Sequence, residues 1–131
     1  MSFASLDGLP EVHLVQPDLY PDHRGLFLEL MQEEKLAATG TFWHFVQANL
    51  SVSGRGVLRG LHFQNPRPQG KLISVVRGEI FDVAVDIRVG SPTFGVARGV
   101  RLSVDSRAQL LVPPDFALTT ECSSKNSTQI G

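Results

Sequence analysis

Apolar residues along this chain alternate with polar ones more often than they recur at helical spacing. From Ile80 to Ile87, Phe81, Val83, Val85 and Ile87 fall on one side of an extended run, with Asp82, Ala84 and Asp86 on the other. Shorter runs of similar character span Val12–Val15, Leu26–Leu30, Phe42–Leu50, Val57–Gln64, Lys71–Arg77, Gly95–Leu102 and Gln109–Val112. Turn chemistry separates them: Pro21-Asp22-His23-Arg24-Gly25, Pro66 with Pro68, Arg77-Gly78-Glu79, Gly90-Ser91-Pro92 and Pro113-Pro114. One stretch, Glu33 to Ala38, has helix-forming composition, and it stops near Gly40. Many short strands without intervening helices predict an all-β, antiparallel sandwich or barrel, with a jelly roll as the preferred type. Alternation does not say which face of each strand is inside.

The pattern lapses at Leu118. Residues 118–131 are rich in Ser, Thr, Asn and Gln, and they predict an irregular polar tail after a single domain spanning 1–117. The sequon Asn126-Ser127-Thr128 is read as chance, because the N-terminus has neither the basic start nor the apolar run of a secretion signal.

Composition narrows the functional classes. The 131 residues carry 12 Lys+Arg and 13 Asp+Glu, a net charge of −1, so no basic excess marks a nucleic-acid partner. No apolar run approaches a membrane span. The single cysteine, Cys122, rules out an internal disulfide and lies far in sequence from any histidine, so a nucleophilic role is not expected. Together these features predict a cytoplasmic protein.

Among residues able to carry chemistry, His62 lies in Arg59-Gly60-Leu61-His62-Phe63-Gln64, and histidine is the side chain whose ordinary pKa lies near working pH. A strand histidine of this kind fits a core or surface role equally well. Gln47, Asn49, Arg59, Lys71, Asp82 and Asp86 lie in neighbouring strands and would form a polar pocket if they faced inward. Arg59 and His62 are an odd number of residues apart, so a shared site needs an irregularity, and Gly60 is where a bulge fits. No His-x-His pair exists and His13, His23 and His44 are scattered, so no metal site is expected. Phosphate loops are absent too, which leaves Arg24 and Arg59 as candidate phosphate ligands.

These residues sit in strings that resemble the dTDP-4-dehydrorhamnose 3,5-epimerase family. The matching strings begin with Asp22-His23-Arg24-Gly25-Leu26-Phe27-Leu28-Glu29, Phe45-Val46-Gln47-Ala48-Asn49 and Gly56 to Gln64. Gln69-Gly70-Lys71-Leu72, Gly78 to Arg88 and Gly90 to Gly95 follow in order. The resemblance implies a cupin-like jelly-roll homodimer without cofactor or metal, an isomerase of deoxysugar (rhamnose) biosynthesis. Its substrate would be a dTDP-4-keto-6-deoxy sugar, inverted at the carbons flanking the ketone. By resemblance His62 is the base, Lys71 the cation for the enolate oxygen, and Asp82 orders the charged site. Arg59, Gln47 and Asn49 contact sugar or phosphate. Arg24, Phe27 and Glu29 belong to a nucleotide-binding segment that reaches across the dimer.

The resemblance breaks near Pro113. The family string is similar to Pro-x-Gly-Phe-Ala-His-Gly-Phe, but here Asp115 stands for the Gly and Leu118 for the His. The family's Tyr acid and the carboxylate that orients its base histidine come from later strands, and the one tyrosine here, Tyr20, lies outside the matching strings. The expectation is a jelly roll lacking its last strands, with impaired turnover. A non-catalytic dTDP-sugar-binding relative and a sugar-nucleotide 3,4-ketoisomerase are the alternatives. A frameshift or truncation would explain residues 118–131.

Overall fold

The described residues of the computed structural model are 1–41, 43–62, 69–122 and 127–130, with 61–62 and 127–130 as backbone only. The strands are β1 (Ser2–Leu6), β2 (Leu9–Gln16), β3 (Leu19–Asp22), β4 (Gly25–Leu28), β5 (Leu50–Ser53) and β6 (Leu58–His62). They continue as β7 (Lys71–Arg77), β8 (Glu79–Asp86), β9 (Ala97–Ser103), β10 (Gln109–Val112), β11 (Phe116–Cys122) and β12 (Ser127–Ile130). One helix, α1 (Glu33–Leu36), runs into a 3₁₀ turn over Ala37–Thr39. Gly40, at a left-handed φ of 81°, ends it where the sequence places the stop.

The strands form two antiparallel sheets and a separate hairpin. The larger sheet runs β1-β2-β10-β7-β12-β5, the smaller β6-β11-β8-β9, and β3 pairs with β4 alone. Between the two sheets lies the main core. Val12, Ile73, Leu110 and Val112 from one side meet Ile80, Ala84, Leu102 and Phe116 from the other. The far face of the larger sheet has its own cover. Leu36 of α1 and Trp43 pack on Val15 and Leu111, so the helix and Trp43 are both held against that sheet. Trp43 Nε1 donates to Thr39 Oγ1 at 2.9 Å, which ties the turn to the aromatic cover. Among the described residues no helix is long and apolar enough to cross a membrane.

The all-β antiparallel sandwich agrees with the alternation, and β7 and β10 have the bounds that the pattern predicts. The irregular tail does not. Residues 116–122 form β11, an interior strand between β6 and β8, and residues 127–130 form β12 between β7 and β5. The period-2 signal is present in β11, because Phe116, Leu118, Thr120 and Cys122 are all buried. Thr119, Thr120 and Glu121 hide it, since a central strand that lines a cavity has no need of apolar side chains throughout. The extended run expected over Phe42–Leu50 is also shorter. Residues 43–49 are irregular and the strand begins at Leu50, while Phe42 lies outside the described residues. The Pro66 and Pro68 break lies outside them as well.

The inner face of β8 is the unexpected one. Ile80, Asp82, Ala84 and Asp86 are buried, whereas Phe81, Val83 and Val85 are half-buried on the outer face. The tip of the Phe81 ring reaches Gly99 of β9, where a Cβ would come within 2.2 Å of it, and the Arg101 guanidinium lies over the ring at 5.8 Å.

β12 pairs with both β7 and β5, so removing residues 123–131 should strip a ladder from each. The expected loss is on the order of 3–5 kcal/mol, at about 1 kcal/mol per backbone hydrogen bond. Thermal unfolding of the shortened chain checks this. An unchanged midpoint would mean that residues 127–130 contribute no more than a loose tail.

Candidate active site

A one-residue mismatch between β6 and β11 builds the site. Leu58 pairs with Glu121, Arg59 with Thr120, and His62 with Leu118, so three steps on β6 are set against two on β11. Thr120 and Leu118 share a face of β11, and the extra residue brings the Arg59 and His62 positions onto matching rows. The irregularity falls between Arg59 and His62, as their spacing requires, and Gly60 lies within that interval. Gly60 has φ 157°, and a Cβ there would lie 2.6 Å from Thr119 Oγ1 and 2.8 Å from Thr119 Cα. The rows continue across β8, with Asp82 opposite Thr120 and Ala84 opposite Leu118.

Leu118 and Thr120 form part of the wall of a cavity of about 340 Å³, which Arg59, Lys71, Gln47 and Asn49 also line. β12 follows β7 from Arg77 back to Ser74, and the next residues, Lys71 to Ile73, line the cavity. Lys71 is half-buried. Arg59 Nε donates to Ser53 Oγ at 2.9 Å, and Gln47 Nε2 donates to Asn49 Oδ1 at 3.2 Å. The described lining holds two cations and no carboxylate, a field suited to an anionic ligand or to negative charge that develops during a reaction.

Asp82 stands behind this wall. It is fully buried, and neither carboxylate oxygen has a hydrogen-bond partner among the described residues. Burial pushes its carboxyl up to about 6, and the nearby Thr120 hydroxyl and Lys71 ammonium pull it back only in part. Thr120 exerts that pull without reaching normal hydrogen-bond geometry. Asp82 does not line the cavity, and its neighbours Thr120 and Lys71 do.

Gln47, Asn49, Arg59 and Lys71 are thus brought together, with Asp82 one layer back. His62 takes its place by backbone register, and its side chain is outside the described residues. Arg24, Phe27 and Glu29 are elsewhere, on the β3–β4 hairpin and its exit. Arg24 is exposed and doubly bonded to Asp22, Glu29 pairs with Lys35 at 2.8 Å, and the Phe27 ring is 69% exposed. Asp86 does not join the polar cluster. Arg88, Ser91 and Thr93 surround its carboxylate, and the Arg88 guanidinium foremost holds it far below the usual carboxylate range. Its role is to clamp the Gly90-Ser91-Pro92 loop. Cys122 is a buried free thiol. Leu30, Met31 and Thr120 line the cavity and were not singled out from the sequence. Only the alternation of Phe116, Leu118, Thr120 and Cys122 pointed to Thr120, and nothing local pointed to Leu30 or Met31.

A model of the dTDP-4-dehydrorhamnose 3,5-epimerase family matches residues 7–130. The epimerase of that name from Methanothermobacter thermautotrophicus is 50% identical over 123 residues, covering 90% of this chain and 65% of the relative. That of Shigella flexneri is 49% identical over 111 residues, covering 83% and 61%. Among solved structures, the Legionella pneumophila 3,5-epimerase in complex with dTDP-4-keto-L-rhamnose aligns with a TM-score of 0.94 at 42% identity. That alignment covers 98% of this chain and 69% of the other. A 3'-monoepimerase from Streptomyces bikiniensis in complex with dTDP-quinovose aligns at 0.85 and 30% identity, covering 92% and 62%. The chain therefore spans less than two thirds of the length of these curated relatives.

Two variants test the site's construction. Gly60→Ala should cost about 1–3 kcal/mol through the clash with Thr119, read as a lower unfolding midpoint. Asp82→Asn should do the opposite at neutral pH. The folded-state carboxyl titrates near 6 against an ordinary 3.8, so the folded protein holds a proton across that interval that the unfolded chain releases. Stability from Asp82 is therefore full below 3.8 and lost as pH rises through about 6. Asp82→Asn should raise the unfolding midpoint at pH ~7.5, by on the order of 1–3 kcal/mol, and show no advantage at pH ~4. Unfolding curves of both proteins across that range decide it.

Proposed function

Since the chain belongs to the dTDP-4-dehydrorhamnose 3,5-epimerase family, we propose that it binds a dTDP-4-keto-6-deoxyhexose in the cavity and inverts C3, C5 or both. The observation that carries this reading is the pairing of Lys71 and Arg59 in one cavity whose described lining has no carboxylate, with the His62 position on an adjoining row.

The chemistry follows from the ketone. A C–H bond beside C=O breaks when a base takes the proton. The bonding pair then forms C=C and the carbonyl pair moves onto oxygen. His62 is the base in this reading, and Lys71 holds the resulting oxyanion, where a preorganised cation lowers the barrier most. Arg59 meets phosphate or sugar oxygens, and the amides of Gln47 and Asn49 meet hydroxyls. Asp82, one layer behind the wall, places a carboxyl group near Lys71. The β3–β4 hairpin, with Leu19, Tyr20, Leu26 and Phe27 exposed, suits a nucleotide-binding arm that carries Arg24, Phe27 and Glu29 into a partner's site in a homodimer. The setting would be deoxysugar biosynthesis in the cytoplasm.

Inversion also needs a proton delivered to the opposite face of the carbon. The one tyrosine, Tyr20, is 56% exposed on β3, outside the cavity. A second reading is binding with little turnover, because a site without a positioned acid loses ~10²–10⁴ in rate.

The test is incubation with a dTDP-4-keto-6-deoxyhexose in D₂O, followed by NMR of the C3 and C5 protons. Exchange with the ketone retained at C4 supports the epimerase, and ketone migration to C3 would replace it with a ketoisomerase. No exchange in a folded protein that binds dTDP supports the second reading. Lys71→Met should slow exchange by ~10²–10³, and an undiminished rate would remove Lys71 from the oxyanion role.

A further inference from the structure

Gln109 is a buried polar residue, 1% exposed, in the middle of the larger sheet. It lies on β10, opposite Val15 of β2 and Ser74 of β7. Its Nε2 donates to Ser74 Oγ at 2.7 Å and to the Leu30 carbonyl oxygen at 2.9 Å. The Leu30 carbonyl can only accept, so this bond fixes which end of the amide faces it. The other end, Oε1, is buried without a partner among the described residues. A buried amide with an unsatisfied acceptor is a poor choice for stability alone, where an apolar residue would serve. Its donor end is the part in use.

Both groups that Gln109 holds belong to the cavity. Leu30, its neighbour Met31 and Ser74 line the wall, while Gln109 itself does not. Leu30 also lies in the short link between β4, which ends at Leu28, and α1, which begins at Glu33. The same link carries Glu29, bonded to Lys35 of α1 at 2.8 Å. One amide thus sets how closely the Leu30–Met31 wall approaches β7 and fixes the point from which the β3–β4 hairpin leaves the body. We propose that Gln109 is a positioning residue for ligand binding, holding the link between hairpin and helix as one wall of the cavity. In naming a dTDP-sugar as the ligand, this rests on the function proposed above.

The sequence supplies a probe, because it holds two methionines, Met1 and Met31. Methyl-labelled methionine gives two NMR signals, assigned by Met31→Leu. Two variants remove the donor in different ways. Gln109→Leu fills the space with an apolar side chain, and Gln109→Ala removes the amide together with most of its volume. Each is compared with the unaltered protein at a temperature where all are folded by circular dichroism, with dTDP affinity measured by calorimetry. The expected result is a shifted or broadened Met31 signal and dTDP binding weakened about ten-fold, the scale of one lost neutral hydrogen bond. Should one variant fail to fold, the other decides. A lower unfolding midpoint with the Met31 signal and dTDP affinity unchanged would overturn the proposal and leave Gln109 a structural residue only. If the unaltered protein binds no dTDP, the functional reading falls separately. The Met31 signal then judges Gln109 alone: movement in the variants upholds the positioning role and constancy overturns it.

Discussion

Where Gly60 passes Thr119, β6 and β11 run too close for any side chain on the glycine. That approach accommodates one more residue on β6 than on β11, and the surplus resets the parity of everything after it. Without it, Arg59 and His62 would belong to opposite faces, one inside the sandwich and one outside. The wall of the cavity, the row from Arg59 through Thr120 to Asp82, and the place of His62 beside Leu118 all follow from this one contact. A bulge here is a constructive feature: a regular ladder would be better bonded but would separate the groups that the cavity gathers.

The charges repeat the theme of stability given up for a site. Asp82 is buried on the inner face of a central strand with no hydrogen bond to either oxygen among the described residues, a costly arrangement in any fold. Its companions across the cavity wall are the cations Lys71 and Arg59. The imbalance leaves the described lining positive and the layer behind it weakly negative. Asp86, two positions along the same face, shows the contrasting case. Arg88, Ser91 and Thr93 all donate to it, and it holds a loop. Two aspartates alike in sequence context differ because one found partners and the other is buried behind the cavity wall without them.

The outer cover is part of the same construction. Leu36 and Trp43 anchor the helix and the chain after it onto the larger sheet, and Gln109 reaches through that sheet's outer face to the link before the helix. The cover therefore does more than shield Val15 and Leu111. It carries Leu30, Met31 and Phe45 to the edge of the cavity, so the packing of a hydrophobic layer decides part of the shape that a ligand meets.

Local patterning by itself determined the antiparallel sandwich, the bounds of β7 and β10, the helix near Glu33 with its stop at Gly40, and the family strings around His62 and Lys71. Even the need for an irregularity between Arg59 and His62 was legible, because strand parity is a local property. Tertiary structure decided what parity leaves open. β8 alternates apolar against acidic, and either face could have been inside. The face with Asp82 and Asp86 was buried because Ile80 and Ala84 on it pack in the core between the sheets, while Phe81 found cover from Gly99 and Arg101 on the neighbouring strand. β11 and β12 read as tail because their stability comes from strands on either side, contacts far apart in sequence that no local signal records. The hairpin with Arg24, Phe27 and Glu29 stands off the cavity for the same reason: a short pair of strands goes where its exits are fastened, and those fastenings, at Lys35 and Gln109, exist only in the folded chain.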